Sequence, residues 1–208
     1  MIQLYYAPHT CSLASHITLE EAGAEYSTVR IDFAKEEQRS PNYLAINPKG
    51  RVPALVTDKG ILTETPAMLA FIAQTFPQAN LAPIDDPFAF AQVQAFNSYL
   101  CSTVHVAHAH RMRGRRWADD PAAIAEMKRK VPESVGACFE LIEREMLKGP
   151  WVTGEAYTIC DPYLFTLAQW MEADSVDPKR FLKVSDHRQR MSERPAVRRA
   201  IEQELGSP

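Results

Sequence analysis

The two halves of the chain differ in their secondary-structure patterns, and this difference constrains the fold more than any other feature. Strand and helix patterns alternate through residues 1–76, whereas strand patterns disappear after residue 87. Three prolines without periodicity fall between the halves, which is typical of a linker. We therefore predict two domains, at residues 1–77 and 87–208, joined by a linker at 78–86.

The first half predicts a β-α-β unit followed by a β-hairpin and a final helix. Strands are predicted at 2–6, 26–32, 52–57 and 61–63, and helices at 11–22 and 65–76. Thr65 is predicted as the N-cap of the last helix, with Pro66 at its first position. Residues 33–40 are predicted to form a loop or a loose helix. A β-α-β unit implies a parallel strand pair and a hairpin adds antiparallel strands, so the predicted fold is an α/β domain with a mixed sheet.

The second half predicts an all-α domain. Amphipathic helices are predicted at Pro87–Trp117, Pro121–Lys148, Thr158–Ala173 and Ser185–Leu205. Pro132 and Pro195 fall inside two of these patterns, so a kink or a break is expected at each. The residues from Thr158 to Asp161 have the spacing of a capping box at the start of the third helix.

Composition excludes several classes of protein. The chain has 208 residues, of which 46% are hydrophobic and 24% charged, which are ordinary globular values. A formal net charge of −3 argues against a broad electrostatic nucleic-acid binder. No apolar run approaches the roughly 18 residues of a membrane helix, and the N-terminus lacks the features of a secretory signal. We therefore expect a cytoplasmic protein that binds neither nucleic acid nor membrane.

Cys11 is the first candidate for chemistry, because it stands where a strand and a loop lead into a helix. Free N–H groups and the helix dipole at that position favour a thiolate, which is the reactive form of cysteine. The alternative is a small residue that fills the junction. The four cysteines are widely spaced, without a CxxC pair or a zinc pattern. A dithiol oxidoreductase is therefore disfavoured, whereas a single thiol that forms a mixed disulfide stays open.

Two further segments have features of a binding site. A cis bond at Val52-Pro53 would leave the Val52 backbone free to pair with an extended, peptide-like ligand, although a trans proline at a sheet edge is far commoner. Glu64 and Thr65 stand where a strand leads into a helix, where free N–H groups bind a carboxylate and Glu64 could accept from an ammonium group. This pair suits the head group of an amino acid, and a simple N-cap is the alternative.

Three segments, in this order and at this spacing, resemble the glutathione transferases: YYAPHTCS, AINPKGRVPAL and LTETPAMLAFIA. The position of Cys11 resembles the bacterial beta class in particular. The resemblance covers essentially the whole chain. It implies a thioredoxin-like N-terminal domain, an all-helical C-terminal domain, and glutathione as the cosubstrate. It also implies a homodimer.

The resemblance implies a role for most of the candidate residues. It implies a cis bond at Val52-Pro53, with the Val52 backbone pairing with the cysteinyl unit of glutathione, and it implies that Glu64 and Thr65 hold the γ-glutamyl end. The residue matching Cys11 lies beside the glutathione sulfur and can form a mixed disulfide with it. His105 matches a histidine near that thiol, and Tyr6 is expected near the same sulfur, which gives three catalytic candidates.

Other matches concern the rim of the site and the core. Lys35 falls where the beta class has a lysine that reaches the glycyl carboxylate, although the intervening loop is shorter here. Thr103 is also assigned to glutathione binding, although an acidic residue is usual at its position, and Val106 stands where a lysine usually follows the histidine. Thr158 and Asp161 match a buried structural motif, so we assign them to folding rather than to catalysis.

The remaining histidines and arginines form a basic patch at 105–116. His105 and His108 have a spacing that a metal site allows, but no carboxylate or cysteine completes a set, so no metal is expected. Because the chain is acidic and aromatic residues are sparse there, a solvated helix end near the active cleft is favoured over nucleic-acid binding. This patch could attract anionic second substrates. Trp170 and Cys101 are assigned to the core by default.

Three functional hypotheses follow. The first is a transferase that activates the glutathione thiol for attack on soft, hydrophobic electrophiles, in detoxification. The second is a glutathione-dependent thiol–disulfide reductase or peroxidase in which Cys11 is the nucleophile. The third is a non-catalytic protein that binds glutathione or another ligand. The electrophile is expected in the cleft between the two domains.

Overall fold

A computed structural model describes residues 1–205 of the chain. The first 76 residues contain four strands and three helices: β1 (Ile2–Tyr6), α1 (Ser12–Glu21), β2 (Tyr26–Arg30), α2 (Pro41–Ile46), β3 (Ala54–Thr57), β4 (Gly60–Thr63) and α3 (Thr65–Thr75). Six further helices follow: α4 (Pro87–Tyr99), α5 (His105–Arg113), α6 (Pro121–Leu141), α7 (Cys160–Ala168), α8 (Leu182–Glu193) and α9 (Pro195–Leu205). This confirms the predicted fold class, a thioredoxin-like α/β half followed by a helical half.

The sheet is mixed and has the order β2-β1-β3-β4. Strand β1 pairs parallel with β2, with Ile2 opposite Tyr26, and antiparallel with β3, with Tyr5 opposite Ala54. Strands β3 and β4 form the antiparallel hairpin. The β-α-β crossover and the hairpin were both predicted. This topology places the C-terminal end of β1 beside the start of β3, at one end of the two central strands.

Helix α2 is absent from the sequence prediction, which placed only a loop or loose helix at 33–40. Ser40 is extended, and its side chain accepts a hydrogen bond from the N–H of Tyr43, while Pro41 occupies the first helical position. This is an ordinary N-cap with a following proline. The helix has only six residues, too few for its periodicity to stand out.

Helix α4 continues into α5 through a wider π-helical segment at Leu100–Val104. The single helix predicted from 87 to 117 is therefore interrupted in its geometry, although every residue at the junctions stays in the right-handed helical region. The extra residue of a π segment rotates the faces on either side, and such segments are frequent at functional sites. Here the segment carries Cys101 and directly precedes His105.

The two internal prolines have different outcomes. Of the kink or break expected at Pro132, the break does not occur, because helix α6 runs through that residue. A second π-helical segment follows the helix at Ile142–Met146. Pro195 does break its pattern, because α8 ends at Glu193 and α9 begins at Pro195. At the linker, a short 3-10 turn forms at Pro77–Ala79 and α4 begins at Pro87. The domain boundaries at 77 and 87 stay a prediction.

A buried carboxylate organises the start of α7. Asp161 is fully buried and accepts hydrogen bonds from the N–H of Val152 at 2.8 Å and of Thr158 at 2.7 Å. The Thr158 hydroxyl in turn accepts from the N–H of Cys160, and His187 of α8 lies 3.0 Å from Asp161. The bond from the Thr158 N–H to Asp161 is the one expected of a capping box, although α7 itself begins at Cys160 with Ile159 as its N-cap. The contact to α8 extends this arrangement to another helix, which supports a structural role.

The main hydrophobic core joins the two halves. Its buried members run from Leu4 and Leu69 in the first half to Phe139 and Phe181 in the second. Among residues 1–205, no helix is long and apolar enough to cross a lipid bilayer.

Candidate active site

A cleft of about 410 Å³ lies between the loops at the end of β1 and the start of β3 on one side and helices α5 and α7 on the other. Six of the residues predicted for the site line it: Cys11, Val52, Pro53, Glu64, Thr65 and His105. They come from the loop after β1, the loop before β3, the start of α3 and the start of α5. The topology therefore brings together segments that are far apart in the sequence.

Cys11 directly precedes α1, as the sequence predicts. The hydroxyls of Thr10 and Ser12 both donate to the Ala7 carbonyl, at 2.8 and 3.1 Å, and hold the loop that carries the thiol. The Sγ of Cys11 donates to the Val52 carbonyl at 3.6 Å. Burial raises the pKa of this thiol to about 11, although the Thr65 hydroxyl opposes the rise. Desolvation of the buried thiol outweighs the helix dipole here and favours the neutral form of Cys11, the opposite of the shift that its position before a helix predicts.

The segment before β3 is held so that the Val52 backbone faces the cleft. The Arg51 carbonyl accepts from the hydroxyl of Tyr43 at 2.7 Å and from the side-chain amide of Asn47 at 2.6 Å. Gly50 has a φ of +59°, and a Cβ there would lie 2.9 Å from the Gln38 carbonyl. The Val52-Pro53 bond is cis, in agreement with the resemblance. Within residues 1–205 the Val52 N–H has no hydrogen-bond partner, so it is free to pair with a ligand.

The turn into α3 has the free groups expected of an anion site. Helix α3 begins at Thr65, so Glu64 is the N-cap, which corrects the predicted cap by one residue. Glu64 has a φ of +72°, a conformation that is uncommon outside glycine and clusters at functional sites. Its carboxylate contacts the ammonium group of Lys49, which also donates to Thr63 at 2.7 Å. Because Pro66 has no N–H, the first-turn donors are those of Thr65 and Ala67.

His105 lies at the start of α5 and lines the cleft. Its ring is 5.1 Å from the ring of Trp170 and 6.3 Å from that of His108. Burial lowers the pKa of His105 to about 4, and the positive charges of its neighbours add to this effect. The imidazole is therefore neutral at pH 7 and has one N–H to donate.

Tyr6 does not reach the cleft, which corrects its assignment as a catalytic residue. Side chains alternate along a strand, so Tyr5 faces Tyr43 while Tyr6 points to the opposite face of the sheet. There the Tyr6 ring packs against His16 at 5.6 Å, and its hydroxyl donates to the Gln203 carbonyl at 3.3 Å. The sequence predicts the end of strand β1 correctly, but it does not predict the direction of the Tyr6 side chain.

Lys35 and Thr103 also lie outside the cleft, which corrects both predicted contacts. The Lys35 side chain is exposed and forms an ion pair with Asp32, three residues earlier, at 3.3 Å. Thr103 is exposed on the outer side of the π-helical segment, next to the buried Val104. Neither residue lines the cleft.

Other residues of the cleft were missed by sequence reasoning. Cys101 and Trp170, assigned to the core, both line it, and so does Tyr163 of α7. Nothing in their helical spacing distinguishes them from core residues. The basic residues that line the cleft are Arg39, Arg51, Arg111, Arg113 and Arg116, together with His9, His105 and His108. The basic composition of 105–116 predicted part of this set, but Arg39 and Arg51 come from elsewhere.

Within residues 1–205, no three side chains of His, Cys, Asp or Glu come together in a way that could hold a metal ion. Each of the four cysteines, at positions 11, 101, 138 and 160, has a free thiol. The groups that line the cleft are thiols, imidazoles, hydroxyls, guanidiniums and free backbone groups.

Comparisons with known proteins agree with this geometry. A family model described as the N-terminal domain of glutathione S-transferase matches residues 2–74. The chain is 32% identical over 206 residues to the glutathione S-transferase GstA of Escherichia coli O157:H7, covering 98% of both chains. The structure of a glutathione transferase homolog from Sulfitobacter with bound glutathione is 45% identical, with a TM-score of 0.95 over 99% of both chains.

A bacterial beta class glutathione S-transferase from Sphingomonas chungbukensis is also similar. It is 30% identical and has a TM-score of 0.86 over 98% of both chains. The relatives match the chain along its whole length, in the α/β half and in the helical half alike. The chain belongs to the glutathione S-transferase family.

Proposed function

We propose that the chain is a transferase that activates the thiol of glutathione for attack on soft, hydrophobic electrophiles. One observation carries this proposal. A thiol, a free backbone donor, the open N-terminus of a helix and a neutral imidazole line a single cleft, at Cys11, Val52, Thr65 and His105. Each of these groups matches one part of a thiol-containing γ-glutamyl peptide.

The N-terminal half binds the peptide part of glutathione. The free N–H of Val52 and its carbonyl pair with the cysteinyl unit, as an added strand would pair with a sheet edge. The donors at the start of α3 hold the γ-glutamyl carboxylate, and Glu64 accepts from the ammonium group. Glutathione bound in this way has its sulfur directed towards Cys11 and His105.

The glycyl carboxylate is bound by Arg51 in this proposal, in place of Lys35. The Arg51 side chain lines the cleft next to Val52. Among residues 1–205 its guanidinium group forms no ion pair, so it is available for a carboxylate. Arginine binds carboxylates through two parallel hydrogen bonds, which gives both strength and orientation.

Activation of the thiol comes from hydrogen bonds to the thiolate. The neutral His105 donates one N–H, and the Cys11 thiol can exchange its bond to the Val52 carbonyl for one to the glutathione sulfur. Donors to the charged form lower a pKa. The thiol proton leaves to solvent, the sulfur forms a bond to the electrophile, and the leaving group departs with the electron pair. Because the pKa of His105 is about 4, it acts as a donor and not as a base at neutral pH.

The alternative, a disulfide reductase that uses Cys11 as nucleophile, has less support from the geometry. A thiol with a pKa of about 11 has on the order of one thiolate in 10⁴ molecules at pH 7. The reaction would therefore need a ligand or a movement that exposes Cys11. One relative at 24% identity is a disulfide-bond oxidoreductase, YfcG of Escherichia coli, so the alternative is included in the test.

We also propose the finer assignments that the resemblance implies. The position of Cys11 and the likeness to the Sphingomonas enzyme support the beta class. The four free thiols support a reducing compartment such as the cytoplasm. A role in detoxification and a homodimeric assembly follow from the same family resemblance.

The variant Cys11→Ala separates conjugation from disulfide reduction. Conjugation is measured with 1-chloro-2,4-dinitrobenzene, and disulfide reduction with hydroxyethyl disulfide, both in the presence of glutathione. We expect C11A to keep about a tenth of the conjugation kcat/KM, since one hydrogen bond to a charged group contributes about 1.5–3 kcal/mol. Disulfide reduction, where present in the native enzyme, should be lost.

Cys138→Ala is the matched control, because Cys138 is a buried cysteine of α6 outside the cleft. C138A should keep both activities. If C11A loses conjugation completely while C138A keeps it, Cys11 is essential for conjugation, and the proposed mechanism, in which it adds only one hydrogen bond, is wrong. If the native protein binds glutathione but turns over neither substrate, the non-catalytic hypothesis replaces the transferase.

A further inference from the structure

Helix α9, which ends the described part of the chain, contacts the α/β half through a buried histidine and a buried carboxylate. His16 of α1 is fully buried, and Glu204 of α9 is 4% exposed. The Nδ1 of His16 lies 3.1 Å from a carboxylate oxygen of Glu204, and its Nε2 lies 2.9 Å from the side-chain oxygen of Gln203. None of these three residues lines the cleft, so the proposed reaction does not use them.

The amide of Gln203 shows which hydrogen His16 carries on Nε2. The amide nitrogen of Gln203 donates to the carboxylate of Glu20 at 3.1 Å, so the amide oxygen is the atom that faces His16. An amide oxygen only accepts hydrogen bonds. The hydrogen between the two side chains is therefore bound to Nε2 of His16.

A second hydrogen is needed on the other side of the ring. In a neutral imidazole that is protonated on Nε2, the Nδ1 atom is an acceptor, and an ionised carboxylate is an acceptor as well. The contact between His16 and Glu204 therefore holds one more proton, on Nδ1 or on the carboxyl group. If the Gln203 amide were turned over, its oxygen would face the Glu20 carboxylate instead. The docked pair thus holds one proton that free histidine and glutamate side chains have lost above about pH 6.5.

The titratable and charged groups around the pair come from β1, the loop after it, α1, β2 and α9: Tyr6, His9, Glu20, Tyr26 and Arg199. Glu20 is paired with Arg199 and accepts from the Tyr26 hydroxyl. Burial raises the pKa of Tyr6 and of Tyr26 above the ordinary value of 10, so both hydroxyls stay protonated. Burial also raises the pKa of Glu204, and the charges of His16 and His9 oppose that rise. The shared proton is therefore the buried proton of this cluster that is lost at mildly alkaline pH.

The last turn of α9 depends on this polar contact for its position. Earlier in the helix, Val197 and Ala200 pack in a buried cluster with Ile17 of α1. In the last turn the buried residue is Glu204, whereas Leu205 is 53% exposed. Apolar packing therefore holds the start of α9, and the shared proton holds its end.

We infer that His16 and Glu204 form a proton-dependent latch, which holds the end of α9 on the α/β half and releases it as the pH rises above neutral. Loss of the shared proton leaves a buried carboxylate opposite an acceptor nitrogen, and release returns both groups to water. The docked helix binds one proton more than the released helix above about pH 6.5. Its docking is therefore strongest below that value and weakens by up to about tenfold for each pH unit above it.

Hydrogen exchange of the full chain, measured by mass spectrometry, tests the latch. Exchange is followed from about pH 6 to about pH 9 and corrected for the intrinsic pH dependence of amide exchange. The protection of peptides that cover α9 should fall by up to about tenfold per pH unit above about pH 7. Peptides from α6 should be more protected than α9 at the highest pH, because release of α9 leaves the rest of the fold intact.

Glu204→Gln replaces the shared proton by a permanent amide hydrogen. The new amide can donate to Nδ1 of a neutral His16, so E204Q should keep α9 docked without a pH dependence. At about pH 9, α9 should be more protected in E204Q than in the native protein. Glu202→Gln is the matched control, because Glu202 is an exposed carboxylate of the same helix, and E202Q should keep the native pH dependence.

Three results would overturn this inference. The protection of α9 in the native protein could stay constant with pH, or its pH dependence could persist in E204Q. Equal protection of α9 and α6 at about pH 9 would show that the proton acts on the whole fold and that α9 is not released by itself. The first and the third result come from the native protein, so they decide the inference even if E204Q does not fold.

Discussion

At the scale of single residues, burial decides the charge state of Cys11 and His105, which the resemblance places beside the glutathione sulfur. Burial raises the pKa of Cys11 to about 11 and lowers that of His105 to about 4. The position of Cys11 before a helix predicts the opposite shift, because sequence shows the helix dipole but not the depth of the thiol. Both groups are uncharged at pH 7, and this makes them hydrogen-bond donors to a thiolate.

Arg51, and not Lys35, is predicted to bind the glycyl carboxylate. Arg51→Ala should raise the Kd for glutathione by about tenfold, since a hydrogen bond to a charged group contributes about 1.5–3 kcal/mol. Lys35→Ala should leave the Kd unchanged, because the Lys35 ammonium group pairs with Asp32. Isothermal titration calorimetry measures both values.

The glycyl ethyl ester of glutathione is the control ligand for this prediction. It lacks the carboxylate, so R51A and the native protein should bind it with the same Kd. A loss of affinity for glutathione in K35A would show that Lys35 takes part in binding. An equal loss of affinity for glutathione and for its ester in R51A would show that Arg51 does not act on the glycyl carboxylate.

At the scale of elements, local capping was predictable and distant capping was not. Asp86 and Asp120 cap α4 and α6 from directly before them, and both starts were predicted correctly. Helix α8 begins at Leu182, three residues before its predicted start, because the carboxylate of Glu143 accepts from the N–H groups of Lys183 and Val184. That acceptor lies about 40 residues away in the chain, so no local pattern shows it.

The start of α7 gives a prediction about stability. Asp161→Asn should lower the free energy of unfolding by about 3 kcal/mol, because an amide NH2 would face buried N–H donors or His187 where a carboxylate oxygen accepts now. Urea denaturation measures the change. Asp58→Asn is the control, since Asp58 is exposed in the β3–β4 turn, and it should change stability by at most about 0.5 kcal/mol. Equal effects of both variants would exclude a structural role for Asp161.

At the scale of the whole molecule, the cleft is assembled from segments separated by more than 150 residues. The motifs around Cys11, Val52 and Glu64 were predictable because each is a local turn with a specific cap or proline. Trp170 was not, because in the helix predicted at Thr158–Ala173 a cleft residue has the same spacing as a core residue, and in the structure Trp170 lies in the turn after α7. Tyr6 and Lys35 show that a correctly predicted strand or loop does not fix where its side chains point or how far they reach.

The proposed homodimer is also a prediction at this scale. Size-exclusion chromatography with light scattering should give twice the chain mass of 23.4 kDa at micromolar concentration. The glutathione Kd should not depend on protein concentration in that range. A mass of one chain would contradict the dimer while leaving the chemistry of the cleft untouched.

The central claim is that the cleft binds glutathione and lowers the pKa of its thiol. The most direct measurement is a pH titration of the ultraviolet thiolate absorbance of bound glutathione, in the native protein and in C11A. Neither Cys11, with a pKa of about 11, nor His105, with a pKa of about 4, titrates between pH 6 and pH 9. We predict a single transition at least about one pH unit below the value of about 8.5 for a free thiol. A transition at the free value, or no saturable binding, would contradict the account.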